Sequence, residues 1–210
     1  MTVGPSSPAS TTAPEPPQRE ADRPVALVTG ASRGVGAGIA KALGEAGCAV
    51  YVTGRSTRDR IDPEALPGTI EDTAEAVTAA GGIGSAIACD HRDEAQIEAV
   101  IARIQAERGR LDILVNNAWG GYERHPGASF AGPFMAQPTH YWDDMFEGGL
   151  KATFLTTRHA LRLMTGPTRG ASQRLIVNTV AWAFDPYLGN LWYVNAGDKM
   201  HRYAGVKMHQ

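Results

Sequence analysis

The sequence predicts an α/β chain folded as a doubly wound parallel sheet, on three observations. Short apolar runs rich in β-branched residues are separated by segments of helical period. The first run, Val25-Ala26-Leu27-Val28, passes directly into a glycine-rich turn and then into Ile39-Ala40-Lys41-Ala42-Leu43, a helical pattern. The unit from Val25 to Thr53 has the size of one βαβ crossover. At 210 residues the chain has room for one such domain and not for two.

Residues 1–24 are dominated by Pro, Ser, Thr and Ala, with Pro5, Pro8, Pro14, Pro16, Pro17 and Pro24 among them. Such a segment buries too little apolar surface to offset its ordering entropy, so a disordered tail is expected ahead of a domain over 25–210. It has neither the apolar block of a secretory signal nor the Arg-rich face of a transit peptide. The glycine-rich turn comes next. Gly30, Gly34 and Gly36 permit the turn, the approach of backbone to a phosphate and close packing of helix on sheet. A helix opening at about Val35 aims unpaired amides at an anion held by the turn, with Ser32 and Arg33 beside it. Strand, turn and helix together predict a dinucleotide site.

Gly47 closes the first helix, and Ala49 to Thr53 is the second strand. The residues just past that strand select the coenzyme. A free ribose 2′-OH calls for Asp or Glu about 20 residues beyond the glycines, whereas a 2′-phosphate calls for positive charge. The sequence reads Gly54-Arg55-Ser56-Thr57-Arg58, with no carboxylate before Asp59. With Arg33 in the turn, this favours NADP(H) over NAD(H); solvated loop charges are the alternative for Arg55 and Arg58. Pro63 to Ala80 reads as a helix with Pro63 in its first turn, ended by Gly81-Gly82. Ile83 to Cys89 is the third strand, and Asp90 with the backbone at His91 falls where the adenine would be bordered. Asp90 is also a candidate cap for a helix over Asp93 to Arg108. His91 has no second ligand at metal-binding spacing, so no metal is expected.

Leu111 to Val115 is the fourth strand, ending in Asn116-Asn117-Ala118, where asparagines and a small residue let backbone run close to a coenzyme while the amides pin the strand edges, with Asn117 and Ala118 as the candidate coenzyme contacts. From Trp119 to Pro138 glycines and prolines interleave with Tyr122, Phe130, Phe134 and Met135; a substrate wall, a subunit contact and a satellite core are all compatible with this loop. Glu123, His125 and His140 are its polar members. Thr139 to Met164 is a helix interrupted at Gly148-Gly149, and Arg174 to Val180 is the fifth strand. Ala181 to Trp192 is a second aromatic loop, and Tyr193 opens a further helix.

A net charge of −2 excludes the broad basic surface of a nucleic-acid binder. No apolar run approaches the roughly 20 residues of a membrane span. Cys48 and Cys89 read as reduced, packed thiols of a cytoplasmic protein. Small molecules and other subunits are the expected partners.

Three motifs, Thr29-Gly-Ala-Ser-Arg-Gly-Val-Gly36, Cys89-Asp90 and Gly109-Arg-Leu-Asp-Ile-Leu-Val-Asn-Asn-Ala118, resemble the coenzyme half of the short-chain dehydrogenase/reductase family. The wording is most similar to the branch typified by dehydrogenase/reductase family member 1, over about Val25 to Tyr193. The resemblance implies a Rossmann-type fold and hydride exchange between NADP(H) and a carbonyl or secondary alcohol. It also implies a Tyr that gives the proton, a Lys four residues on, an upstream Ser and an Asn in the preceding long helix. The Tyr falls on Tyr193, but the Lys position is Gly197, the Ser position is Val180 with Thr179 adjacent, and the Asn position is Gly149. Lys199 lies about 240° around a helix from Tyr193. An unassisted tyrosine titrates at about 10 and is a poor acid–base group at neutral pH. Tyr203-Ala-Gly-Val-Lys207 is an intact Tyr-xxx-Lys and stands as the rival catalytic pair, ten residues further on.

Two functions stay open: an NADP(H)-dependent oxidoreductase, and a catalytically silent nucleotide binder that keeps the coenzyme half. Family members continue through another strand, a substrate-covering helix and a last strand, whereas this sequence stops at Gln210, just after the start of the catalytic helix. The expectation is an exposed sheet edge beside the fifth strand, with marginal stability or a homo-oligomer formed through that edge.

Overall fold

The computed structural model describes residues 20–60, 67–120, 135, 138–166, 174–180, 192–194 and 200–202. Strands β1 (Val25–Val28), β2 (Ala49–Gly54), β3 (Ile83–Ala88), β4 (Ile113–Asn116) and β5 (Leu175–Asn178) form one parallel sheet in the order β3-β2-β1-β4-β5. Between them run α1 (Gly34–Glu45), α2 (Ile70–Ala79), α3 (Glu94–Arg108), α4 (His140–Met145) and α5 (Ala152–Met164). This is the doubly wound Rossmann-type arrangement. Alternate residues of β1 serve two cores. Val25 and Leu27 pack with Leu114, the α3 residues Ile97, Ile101 and Ile104, and Leu155 of α5. Ala26 and Val28 pack with Val50, Val52, Val115, Ala40 of α1 and Val77 of α2. Burial on both faces explains why β1 reads as an unbroken apolar run.

Strand order reverses between β1 and β4, so the connections leaving their carboxyl ends diverge and open a crevice there. At the opposite end of the sheet Asp112, buried, gathers three elements. Its Oδ2 accepts from Val25 N at 2.8 Å and lies 2.9 Å from Arg110 Nε, while Oδ1 accepts from Arg174 Nη1 at 2.6 Å. β5 lies at the outer edge of the described sheet, with Leu175, Ile176 and Val180 exposed.

Several local expectations need correction. Residues Glu20–Asp22, placed in the tail on composition, form a 3-10 turn held by an ion pair from Arg108 to Glu20 at 3.1 Å. Residues 1–19 lie outside the described residues. The second helix begins at Ile70, not at Pro63: Gly68 takes a φ of +117°, and Thr69 caps the helix by accepting from Asp72 N at 3.1 Å. The cap of α3 is Asp93, whose Oδ1 accepts from Ala95 N at 2.9 Å. Asp90 instead closes the preceding turn, accepting from Arg92 N at 3.0 Å. Two aspartates three residues apart offer the same chemistry, and the one nearer the first helical turn takes the cap. Gly148-Gly149 does not break the long helix but lies in a π-helical turn, Phe146–Lys151, that joins α4 to α5.

Tyr193 does not open a helix. Trp192–Val194 is a short strand, β6, paired antiparallel with β7 (Met200–Arg202) in a separate two-stranded sheet that sets Tyr193 opposite His201. Two aromatics and a valine favour a pleated backbone, and the intervening sequence carries Asn195, Gly197 and Asp198, poor helix formers all.

Candidate functional site

The crevice is built by the chain leaving β1 and the chain leaving β4. Gly30 and Gly34 adopt left-handed conformations, with φ of +61° and +57°. A Cβ on Gly30 would stand 2.6 Å from the Ala118 Cα. One on Gly36 would stand 2.8 Å from the Gly30 carbonyl oxygen and collide with the Asn117 amide. Glycine at 30 and 36 is therefore what allows the two strand ends to touch. Thr29 Oγ1 accepts from both Asn117 N and Ala118 N at 2.9 Å. Asn117 Nδ2 answers by donating to the carbonyls of Thr29 at 3.0 Å and Gly30 at 2.9 Å. Asn117 thus pins the two strand edges together.

Helix α1 opens from this turn with Arg33 in the cap position, in extended backbone, making no side-chain cap bond. No acidic residue occupies its first turn, whereas α2 and α3 are capped by Thr69 and Asp93. Its leading amides, including those of Val35 and Gly36, carry the positive end of the helix dipole with no carboxylate in that turn to meet it. Arg33 donates from Nε to Ser32 Oγ at 3.2 Å and from Nη2 to Ser56 Oγ and to the Gly68 carbonyl at 3.4 Å. Burial, and then the charge of nearby Arg55, lower its proton affinity below the usual arginine value. Arg55 therefore lies near enough to Arg33 for the two charges to act on one another. Arg58 does not join them, since it pairs with Asp72 and Glu75 of α2 at 2.7 Å each.

Beyond β3, Asp90 is ion-paired to Arg92 at 2.6 Å. Burial works to raise its carboxyl, and the bonds from Arg92 outweigh that and leave it below the usual range. His91 is buried between Thr53 Oγ1 at 2.8 Å and Thr156 Oγ1 at 3.0 Å. Desolvation pushes its imidazole down to about 4, so it is neutral at physiological pH. Cys48 and Cys89 are buried free thiols, and burial pushes Cys89 up to about 12. Among the described residues no three His, Cys, Asp or Glu side chains are placed to hold a metal.

The structure thus brings together Gly30, Ser32, Arg33, Gly34, Val35, Gly36, Arg55, Asn117 and Ala118, with Asp90 and His91 at the margin. Thr179, just past β5, donates from Oγ1 to Asn117 Oδ1 at 3.2 Å and so buttresses the same asparagine. The side chain of Tyr193, all of Tyr203 and Lys207, and the loop residues Tyr122, Glu123, His125, Phe130 and Phe134 lie outside the described residues. His140 opens α4. Gly149 is buried in the π-helical turn, where a Cβ on its neighbour Gly148 would stand 2.7 Å from the Gly120 Cα. Sequence reasoning missed the Thr29 hydroxyl, Ser56 and Gly68. Thr29 stands at the head of the glycine-rich motif and Ser56 between two candidate arginines, whereas nothing local marks Gly68.

No described helix is long and apolar enough to cross a membrane. The model of one family, short chain dehydrogenase, matches residues 24–195. Dehydrogenase/reductase SDR family member 1 of Mus musculus is 35% identical over 147 residues, which are 70% of this chain and 44% of that protein. The 3-oxoacyl-[acyl-carrier-protein] reductase of Escherichia coli is 33% identical, covering 70% of this chain and 51% of that one. Among solved structures, a metagenomic short-chain oxidoreductase in complex with NADP superposes with a TM-score of 0.63 at 31% identity, over 82% of this chain and 69% of the other. The chain spans about half the length of the curated relatives it matches.

Proposed function

Because the chain belongs to the short-chain dehydrogenase family, we propose that it binds NADP(H) in this crevice and serves hydride transfer between that coenzyme and a carbonyl or secondary alcohol. The observation that carries the reading is the uncapped start of α1 beside Arg33 and the charge of nearby Arg55, reached through a turn in which a Cβ on Gly30 or Gly36 would collide with Ala118 or Asn117. Helix amides suit a pyrophosphate, and paired guanidinium groups suit a 2′-phosphate better than a bare ribose hydroxyl. In this reading the amides of Gly34, Val35 and Gly36 hold the pyrophosphate, with Gly30 and Ser32 forming the floor. Arg33 and Arg55 hold the 2′-phosphate, Asp90 and the backbone at His91 border the adenine, and Asn117 and Ala118 line the path toward the nicotinamide. The bound nicotinamide supplies or accepts the hydride. Tyr193 exchanges the proton with the substrate oxygen, with the Tyr203–Lys207 pair as the alternative, and Thr179 acts through Asn117. A small-molecule substrate, a cytoplasmic setting and association with further copies of the chain complete the proposal.

Titration of NADPH and of NADH fluorescence tests the first half, and oxidation assays over a carbonyl panel test the second. Tight NADPH binding with turnover lost in Tyr193→Phe is the expected result. Loss in Tyr203→Phe alone moves the proton donor to the rival pair, and binding without turnover assigns a silent nucleotide binder. Affinity for NADH but not NADPH would sink the arginine argument.

A further inference from the structure

The segment just ahead of α2 lies against the phosphate-binding turn. Gly68 has a φ of +117°, and a Cβ there would stand 2.5 Å from the Ser32 carbonyl oxygen and 3.2 Å from the Arg33 Cβ. Its own carbonyl accepts from Arg33 Nη2 at 3.4 Å, the same nitrogen that bonds Ser56 Oγ. Two residues on, Ile70 N donates to the Ser56 carbonyl at 3.0 Å, and the Ile70 side chain closes over Gly54, where a Cβ would meet it at 3.1 Å. Residues 68–70 therefore touch both walls of the crevice: the turn after β1 through Ser32 and Arg33, and the end of β2 through Gly54 and Ser56. Thr69, capping α2, fixes the segment to a helix.

An arginine side chain left to itself samples many rotamers, and like charge on Arg55 would drive this one outward. Here Nε and Nη2 are held while no described residue takes a bond from Nη1. We propose that Gly68–Ile70 is a latch that determines coenzyme specificity, holding Arg33 with its Nη1 edge presented to the 2′-phosphate. The latch rests on the NADP(H) reading of the crevice and adds a positioning element to it. Only a residue without a Cβ can occupy position 68 at this distance and this φ.

The test is a double-mutant cycle read as Kd for NADPH and for NADH on the full chain, with Gly68→Ala and Arg33→Ala. Gly68→Ala is expected to raise the NADPH Kd by about tenfold with the NADH Kd within about twofold, the loss typical of a displaced charge-assisted contact. In the Arg33→Ala background the same substitution is expected to change neither. Equal weakening of both coenzymes, or a Gly68→Ala effect that persists without Arg33, overturns the latch. If Gly68→Ala does not fold, Ser56→Ala in the same cycle decides: an effect that vanishes without Arg33 supports the latch, and one that persists overturns it. An NADPH preference kept by Gly68→Ala but lost by Arg33→Ala removes the latch alone. A preference that Arg33→Ala leaves intact removes the coenzyme reading beneath it.

Discussion

Acidification should weaken this fold through one buried imidazole. The Thr53 hydroxyl donates to the Val28 carbonyl at 3.3 Å, so its oxygen accepts from His91 Nε2–H at 2.8 Å. Nδ1 is then left to accept from the Thr156 hydroxyl at 3.0 Å. A second proton would set donor against donor and bury a charge, with Arg55 adding repulsion and Asp90 relieving part of it. An unfolded histidine takes its proton near 6.5, whereas His91 in the fold resists until about 4. The unfolded chain therefore binds more protons between these values. The stability linked to His91 is complete above pH 6.5 and is lost as pH falls through about 4. At about 1.36 kcal/mol for each tenfold change in proton affinity, the loss is roughly 3 kcal/mol, a large part of the roughly 5–15 kcal/mol that holds a domain together. Urea unfolding between pH 7 and 4, on the natural chain and on His91→Gln, isolates this contribution, because glutamine keeps one donor and one acceptor and cannot charge. The difference between the two curves should close or invert by about 3 kcal/mol across that interval. Parallel curves would refute the argument, as would a His91 proton resonance titrating near the ordinary histidine value.

Two further perturbations probe the frame of the site. Asp112→Asn leaves Arg110 and Arg174 without their shared counter-charge and is expected to cost about 3 kcal/mol in urea unfolding; a cost below about 1 kcal/mol would mean that solvent screens the cluster. Gly30→Ala combines a left-handed φ with a Cβ 2.6 Å from Ala118, so coenzyme binding should vanish in a fluorescence titration while circular dichroism still reports a folded sheet. Unchanged NADPH affinity in that variant would remove the turn from the site.

Much of the frame was legible because it is written in local pattern. Val25–Val28 and Ala49–Gly54 are buried on both faces and so read as continuous apolar runs. The turn glycines, Asn117 and Arg55 announce themselves by residue type, whereas Arg58, of the same type, is taken up by Asp72 and Glu75. The features that escaped depend on contacts far apart in the chain. Gly68 meets Arg33 across 35 residues, and His91 reaches Thr53 and Thr156 across 38 and 65. No periodicity encodes either. Pro63 is a sound first-turn residue locally, yet Gly68 and Thr69 delay the start of α2 to Ile70. At Tyr193 the resemblance to a helix carried over from relatives conflicts with the strand preference of Trp192-Tyr193-Val194 itself.

The π-helical turn at Phe146–Lys151 has a consequence for sequence drift. A wide turn absorbs one residue more than an ordinary coil, so it acts as a phase adjuster between the two stretches it joins. Deleting either Gly148 or Gly149 would let the turn tighten to regular winding with both flanks still in phase, because the wide turn already holds the surplus residue. A deletion in the regular winding on either side would instead swing one flank by about 100°, turning Asp144 and Met145 toward water or, beyond the turn, Ala152, Leu155 and His159. The loss of one residue is therefore better tolerated at this turn than in the regular winding on either side of it.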